Sequence, residues 1–211
     1  MEKSENIRNF FGVQLRRALS PLTRLLTHLR VGPNSITVFG TLLNVGAAVL
    51  VGFDLLVWAG VVFVVGGLFD MLDGALARYS GRETAFGAYL DSTLDRVSEG
   101  AIMAAIAYWF AVQGRVVDVA LVVVALLGSL LVSYTRARAE GLGLECKVGL
   151  ASRPERVVLI AVGLFFNVLS YVVYIMVALT LFTVGQRVVH TYRALRAEER
   201  AGSHHNTGGD R

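Results

Sequence analysis

Cysteine is nearly absent from this chain. Cys146 stands alone in 211 residues, so no intrachain disulfide can form, and with no histidine clustered beside it the thiol reads as inert. Proline is scarce as well: the 3 prolines are Pro21, Pro33 and Pro154, each suited to the first turn of a helix rather than its interior. Charge is thin, at 17% Asp, Glu, Lys and Arg, against about 25% in a typical soluble domain. With 55% hydrophobic residues and a mean hydropathy of +0.58, that scarcity excludes an ordinary soluble fold. The first 35 residues lack the compact apolar core and small-residue cleavage site of a signal peptide, and no internal repeat is visible.

Long apolar runs take the place of charge. They cover Ile36–Phe53, Leu55–Phe69, Gly100–Val112, Val116–Val132 and Val157–Val184, several of them close to the ~20 residues that cross ~30 Å of hydrocarbon. The third run is long enough only if Tyr89–Glu99 belongs to the same helix. The last is too long for one helix, so a break near Asn167–Ser170 is expected, giving two short helices. The resulting expectation is an all-α integral membrane protein of six transmembrane helices, preceded by an N-terminal interfacial amphipathic helix. Residues 1–33 form that interfacial segment, 34–196 the membrane domain, and 197–211 a polar, disordered tail that includes His204 and His205. In the N-terminal segment Ile7, Phe10, Phe11, Ala18, Leu22, Leu25, Leu26 and Leu29 fall mostly at helical spacing against Arg8, Arg16, Arg17 and Arg24, and Ser20-Pro21 restarts the helix. On this topology every Lys and Arg except Arg96 and Arg115 lies on one side. The positive-inside rule makes that side cytoplasmic, so both termini and the loop after Arg78 face the cytoplasm of a cell membrane.

Acidic residues then stand out inside the spanning segments. The chain reads Asp70-Met-Leu-Asp73-Gly74-Ala-Leu-Ala77-Arg78, and then Gly87, Asp91 and Asp95. A carboxylate at a bilayer centre costs about 2.5–3.5 kcal/mol, and four cost on the order of 10 kcal/mol. Asp70 and Asp73 are three residues apart and Asp91 and Asp95 four apart, so each pair shares one helix face. Carboxylates brought that close repel unless a cation neutralises them, and hard divalent ions prefer such oxygen ligands. Gly74 and Gly87 permit close approach, and Arg78 suits a bidentate phosphate contact. These residues together read as a metal-and-phosphate site at a membrane surface.

The same residues carry a resemblance. The pattern D-x2-D-G-x2-A-R-x8-G-x3-D-x3-D of the CDP-alcohol phosphotransferases is matched at every position by Asp70, Asp73, Gly74, Ala77, Arg78, Gly87, Asp91 and Asp95. The resemblance implies that an alcohol attacks the β-phosphate of a CDP-linked lipid and releases CMP. It implies Asp70, Asp73 and Asp91 as ligands of Mg²⁺ or Mn²⁺, two ions being expected, with Asp95 as the catalytic base that also touches a metal. Gly74, Arg78 and Gly87 would hold the nucleotide. Asn34 and Thr37 would join them, because Pro33-Asn34-Ser35-Ile36-Thr37 is similar to a family element near the CDP group. A plain helix cap at Asn34 or Ser35 explains those residues equally well.

Arginines form the second signal. Ser133-Tyr-Thr-Arg136-Ala-Arg138-Ala-Glu140 is followed by Arg153-Pro154-Glu155-Arg156. Several arginines near a site for a CDP-lipid suggest an acceptor that is itself a phosphate ester. The pairing resembles the phosphatidylinositol-phosphate synthase branch and its archaeal-lipid counterparts, with Arg136 standing where that branch carries lysine. The resemblance assigns Arg136, Arg138, Arg153 and Arg156 to the phosphate of inositol 1-phosphate, CDP-diacylglycerol as donor, and a homodimer as the assembly. Glycerol 3-phosphate is the alternative acceptor. A cation transporter using the aspartates is the remote alternative, disfavoured because a cation path gains nothing from Arg78. No nucleic-acid partner is expected.

Overall fold

The computed structural model describes residues 22–24, 26–29 and 31–205. Among the described residues the structure is all helical, with α1 at Pro33–Gly52, α2 at Leu56–Ser80, α3 at Ala85–Val112, α4 at Val116–Glu140, α5 at Arg153–Phe166 and α6 at Leu169–His205. Residues 22–24 and 26–28 are also helical. The rest of the expected interfacial segment, including Ser20-Pro21, lies outside the described residues, as do residues 206–211 of the expected tail. Helix α6 runs on to His205, into the stretch read as disordered.

Among the described residues, four helices are long and apolar enough to cross a membrane: α1, α2, α4 and Leu169–Ala197 of α6. That is fewer than the six expected from the sequence. Helix α3 does include Tyr89–Glu99, as its length required, but Asp91, Asp95, Arg96 and Glu99 then interrupt its apolar run. Helix α5 has 14 residues, about 21 Å of rise. The break near Asn167 is present, with Asn167 left-handed at φ 54° as the C-cap of α5, yet the helix after it is long rather than short. Large side chains on the outer faces are exposed, among them Leu42, Val49, Trp58, Val123 and Leu127. Apolar exposure on this scale suits lipid rather than water. The chain is a membrane protein in its architecture.

The chain divides into two units, Met1–Ile102 and Met103–Arg211. In the first, α1 and α2 pack along their lengths. Ile36, Leu72 and Leu76 form a buried cluster, with Leu26, Val31 and Phe69 against it, and the Phe39 and Phe69 rings meet edge to face at 5.0 Å. The hydroxyls of Thr37 and Thr41 donate back to the carbonyls of Pro33 and Thr37 at 3.2 and 3.0 Å, which satisfies them inside an apolar helix.

In the second unit α6 packs against both α4 and α5. The loop between α4 and α5 is held by side chains of α6. Thr183 accepts from the amides of Leu150 and Ala151 at 3.3 and 3.1 Å, and Arg187 Nε donates to the Val148 carbonyl at 3.0 Å. Cys146 is fully buried there beside Ala139 and Leu144, consistent with an inert thiol. At the turn before α4, Arg115 pairs with Asp118 at 2.8 Å and donates to Ser170 at 2.6 Å. Arg115, predicted to stand apart from the other cations, thus ties α4 to the start of α6.

Candidate active site

The first unit contains an open cavity of about 200 Å³ where α1, the end of α2 and the start of α3 meet. Its walls include Asn34, Thr37, Asp73, Gly74, Arg78, Gly87 and Asp91. Helix spacing explains the grouping. Asp73, Gly74, Ala77 and Arg78 fall at successive i, i+1, i+4, i+5 positions, which present one stripe of α2 to the cavity. Gly87, Ala88 and Asp91 do the same for the first turns of α3.

Asn34 does not cap α1. Gly32 is the N-cap and makes no side-chain cap bond, and Pro33 takes a first-turn position, where its missing N–H costs nothing. Asn34 therefore lies within the first turn and is free of a capping role, and it faces α3. A Cβ on Gly87 would sit 3.1 Å from Asn34 Oδ1 and 3.0 Å from Thr84 Oγ1. Glycine at 87 is what allows that approach, while its amide donates to Thr84 Oγ1 at 3.0 Å.

Of the four motif aspartates, Asp73 is the buried one. It is 5% exposed, and its Oδ2 has no hydrogen-bond partner. An unpartnered carboxylate oxygen in a cavity wall costs free energy unless a cation or donor meets it. The donors in this motif are all carboxylate oxygens, which suits a hard divalent ion. The structure brings Asp73 and Asp91 to the cavity. Asp70 sits about 60° round the α2 axis from Asp73, against α1 at Gly40, and Asp95 lies one turn beyond Asp91 on α3. Among the described residues, no three acidic, histidine or cysteine side chains are gathered tightly enough to hold a metal ion. Of the four aspartates, Asp73 and Asp91 line the cavity, and Asp70 and Asp91 are both charged neighbours of Asp73.

Arg82, Glu83 and Thr84 also line the cavity, and the sequence reading did not single them out. Their only sequence signal is position: they occupy the turn between two motif-bearing helices.

The arginines lie in the second unit in three environments. Arg136 is about half exposed and pairs with Glu140 at 2.8 Å, and Arg138 is exposed. Arg153 and Pro154 open α5, as predicted, with Ser152 as N-cap. Arg156 is 1% exposed and donates to the Ala151 carbonyl at 2.8 Å. The structure adds Arg187, 4% exposed, whose guanidinium also bonds the Val132 carbonyl. Its charged neighbours include Arg136, Arg156 and Glu140. Arg187 lies just past the last apolar run, in a stretch that also holds His190, Arg193 and Arg196, so the sequence did not set it apart from them.

Residues 30–186 match the family model for CDP-alcohol phosphatidyltransferases. The chain belongs to that family. It is similar to the phosphatidylinositol phosphate synthase of Mycobacteroides abscessus, 36% identical over 178 residues, which cover 80% of this chain and 81% of the relative. Among solved structures it resembles the Mycobacterium tuberculosis phosphatidylinositol phosphate synthase with CDP-DAG bound, at a TM-score of 0.78 and 33% identity, covering 83% of this chain and 94% of that one. The same M. tuberculosis enzyme in complex with manganese and citrate matches at a TM-score of 0.76 and 33% identity, covering 82% and 88%. Family membership makes the chain a CDP-alcohol phosphotransferase, as its aspartate pattern implied.

Proposed function

We propose that this protein transfers the phosphatidyl group of CDP-diacylglycerol to inositol 1-phosphate, giving phosphatidylinositol phosphate and CMP. One observation carries the reading most: the nucleotide-binding residues expected from the motif, Asn34, Thr37, Gly74, Arg78 and Gly87, line one cavity with Asp73 and Asp91. The relatives supply the donor and the acceptor, since the similar enzymes are named for this product and one was solved with CDP-DAG.

Roles follow from the chemistry of each group. Arg78 engages the diphosphate, and Gly74 and Gly87 leave room for it beside the helix backbones. Asp70, Asp73, Asp91 and Asp95 would hold divalent metal, as two ions of Mg²⁺ or Mn²⁺; a manganese complex of a similar enzyme supports this. Bound there, such ions supply neutralisation of the diphosphate and of the departing CMP. Asp95 takes the proton of the attacking inositol hydroxyl. The hydroxyl oxygen bonds the phosphatidyl phosphorus, the bond from that phosphorus to the CMP oxygen breaks, and CMP leaves with its electron pair.

Arg136, Arg138, Arg153 and Arg156 are assigned to the acceptor phosphate, and Arg187 joins them. Arg187 has Arg136 and Arg156 among its charged neighbours, together with Glu140, and guanidiniums grouped in this way suit a phosphate. Six crossings, with both termini and the active site cytoplasmic, agree with the placement of Lys and Arg along the chain. The proposed assembly is a homodimer.

The test is CMP release by protein purified in detergent with Mn²⁺ or Mg²⁺ and CDP-diacylglycerol, offered inositol 1-phosphate or glycerol 3-phosphate. Release with inositol 1-phosphate alone is the expected result. Release with glycerol 3-phosphate alone would keep the family and replace the acceptor.

A further inference from the structure

Helices α1 and α2 approach closely where Gly40 meets the acidic segment. A Cβ at position 40 would lie 2.9 Å from Asp70 Oδ1, 3.1 Å from Phe69 Cβ and 3.2 Å from the Gly66 carbonyl oxygen. One turn later Asn44, 2% exposed, packs onto Gly66 in the same way, so the approach persists along the seam. Close packing is not a general property of glycines in α1, because a Cβ on Gly46 would meet nothing within 4 Å. Gly40 is buried. The nearest atom to its missing side chain is therefore the tip of a carboxylate, while the next two belong to the rigid part of α2.

We infer that Gly40 is a positioning residue for the Asp70 carboxylate: its bare backbone is the seat that fixes which way Asp70 points. The inference rests on the proposed role of Asp70 as a metal ligand. A methyl at position 40 is accommodated most cheaply by rotating Asp70 about its side-chain bonds, because Phe69 Cβ and the Gly66 carbonyl need yield only a few tenths of an ångström. The helices would stay packed and the ligand would turn aside. Groups that orient metal ligands typically matter by about 10–100-fold in affinity, and a displacement of about 1 Å at a reacting site costs about 10²-fold in rate.

Mn²⁺ binding to the full chain in detergent, read by electron paramagnetic resonance without lipid, tests this alongside CMP release across a Mn²⁺ titration. Four variants are compared with wild type: Gly40→Ala, Gly46→Ala, Asp70→Asn, and Gly40→Ala combined with Asp70→Asn. Gly40→Ala should weaken Mn²⁺ binding by about 10–100-fold and raise by a similar factor the Mn²⁺ needed for half-maximal release. Gly46→Ala should behave as wild type. The double variant should bind Mn²⁺ no more weakly than Asp70→Asn alone, since an effect exerted through Asp70 is not additive with its loss.

Wild-type Mn²⁺ affinity in Gly40→Ala, with affinity lost in Asp70→Asn, would overturn the positioning role and leave the metal reading intact. Wild-type affinity in Asp70→Asn would instead overturn the metal role of Asp70. Additive losses in the double variant, or a Gly40→Ala chain that does not fold, would also overturn the inference, because both mean that α1–α2 packing yields before Asp70 does.

Discussion

In the first unit, buried Asp73 keeps one carboxylate oxygen without a hydrogen-bond partner, in the wall of a cavity open to a ligand. In the second, buried Arg156 and Arg187 turn guanidinium donors onto the carbonyls of Ala151, Val148 and Val132. Both units bury charge, and both costs must be met. The arginines meet part of theirs with the chain's own backbone, so they hold a loop whatever else they bind. Asp73 leaves an oxygen for something from outside. An unmet group in a cavity marks binding; a met one marks architecture, and the acceptor role proposed for the second unit's arginines would come on top of it.

The sharpest break in that comparison comes from the proposed base. Asp95→Asn keeps the size of the side chain and removes its ability to take a proton. CMP release should fall by about 10²–10⁴-fold, while CDP-lipid binding in an equilibrium assay stays near wild type. Full turnover in that variant would remove Asp95 from the chemistry.

Arginine substitutions sharpen the other half. Arg156→Ala leaves the Ala151 carbonyl without its donor, which costs about 1–3 kcal/mol, and thermal melting in detergent should register it. Arg136→Ala breaks only a half-exposed pair with Glu140, worth about 0.3–0.5 kcal/mol. Its melting temperature should barely change, while the KM for the acceptor phosphate rises and the KM for CDP-lipid does not. Equal melting losses in the two variants would erase the distinction between architectural and exposed arginines.

The aspartate pattern was legible in the sequence because it consists of residue identities at fixed helical offsets, and the α2 and α3 faces follow directly from those offsets. The break at Asn167 was legible too, since a polar residue interrupts an otherwise continuous apolar run. What escaped depended on distances between elements. Asn34 looks like a cap in one dimension, yet Gly32 takes that position and Asn34 faces Gly87 across a helix pair. Arg187 lies far along the chain from the loop it holds, and a non-helical stretch between α4 and α5 has no periodicity from which to foresee the contact. The burial of Arg156 beside an exposed Arg138 likewise follows from the path of that loop rather than from charge.

The most direct test of the central claim is the melting of purified protein in detergent with and without Mn²⁺, for wild type and Asp73→Asn. At Mn²⁺ about a hundredfold above its Kd, wild type should gain about 2.7 kcal/mol of stability and melt at a higher temperature. Asp73→Asn should lose that gain. Without metal it should melt no lower than wild type, because a neutral amide replaces a buried carboxylate that leaves one oxygen without a hydrogen bond. Equal stabilisation of both proteins by Mn²⁺ would contradict the assignment of this cavity as the metal-and-phosphate site.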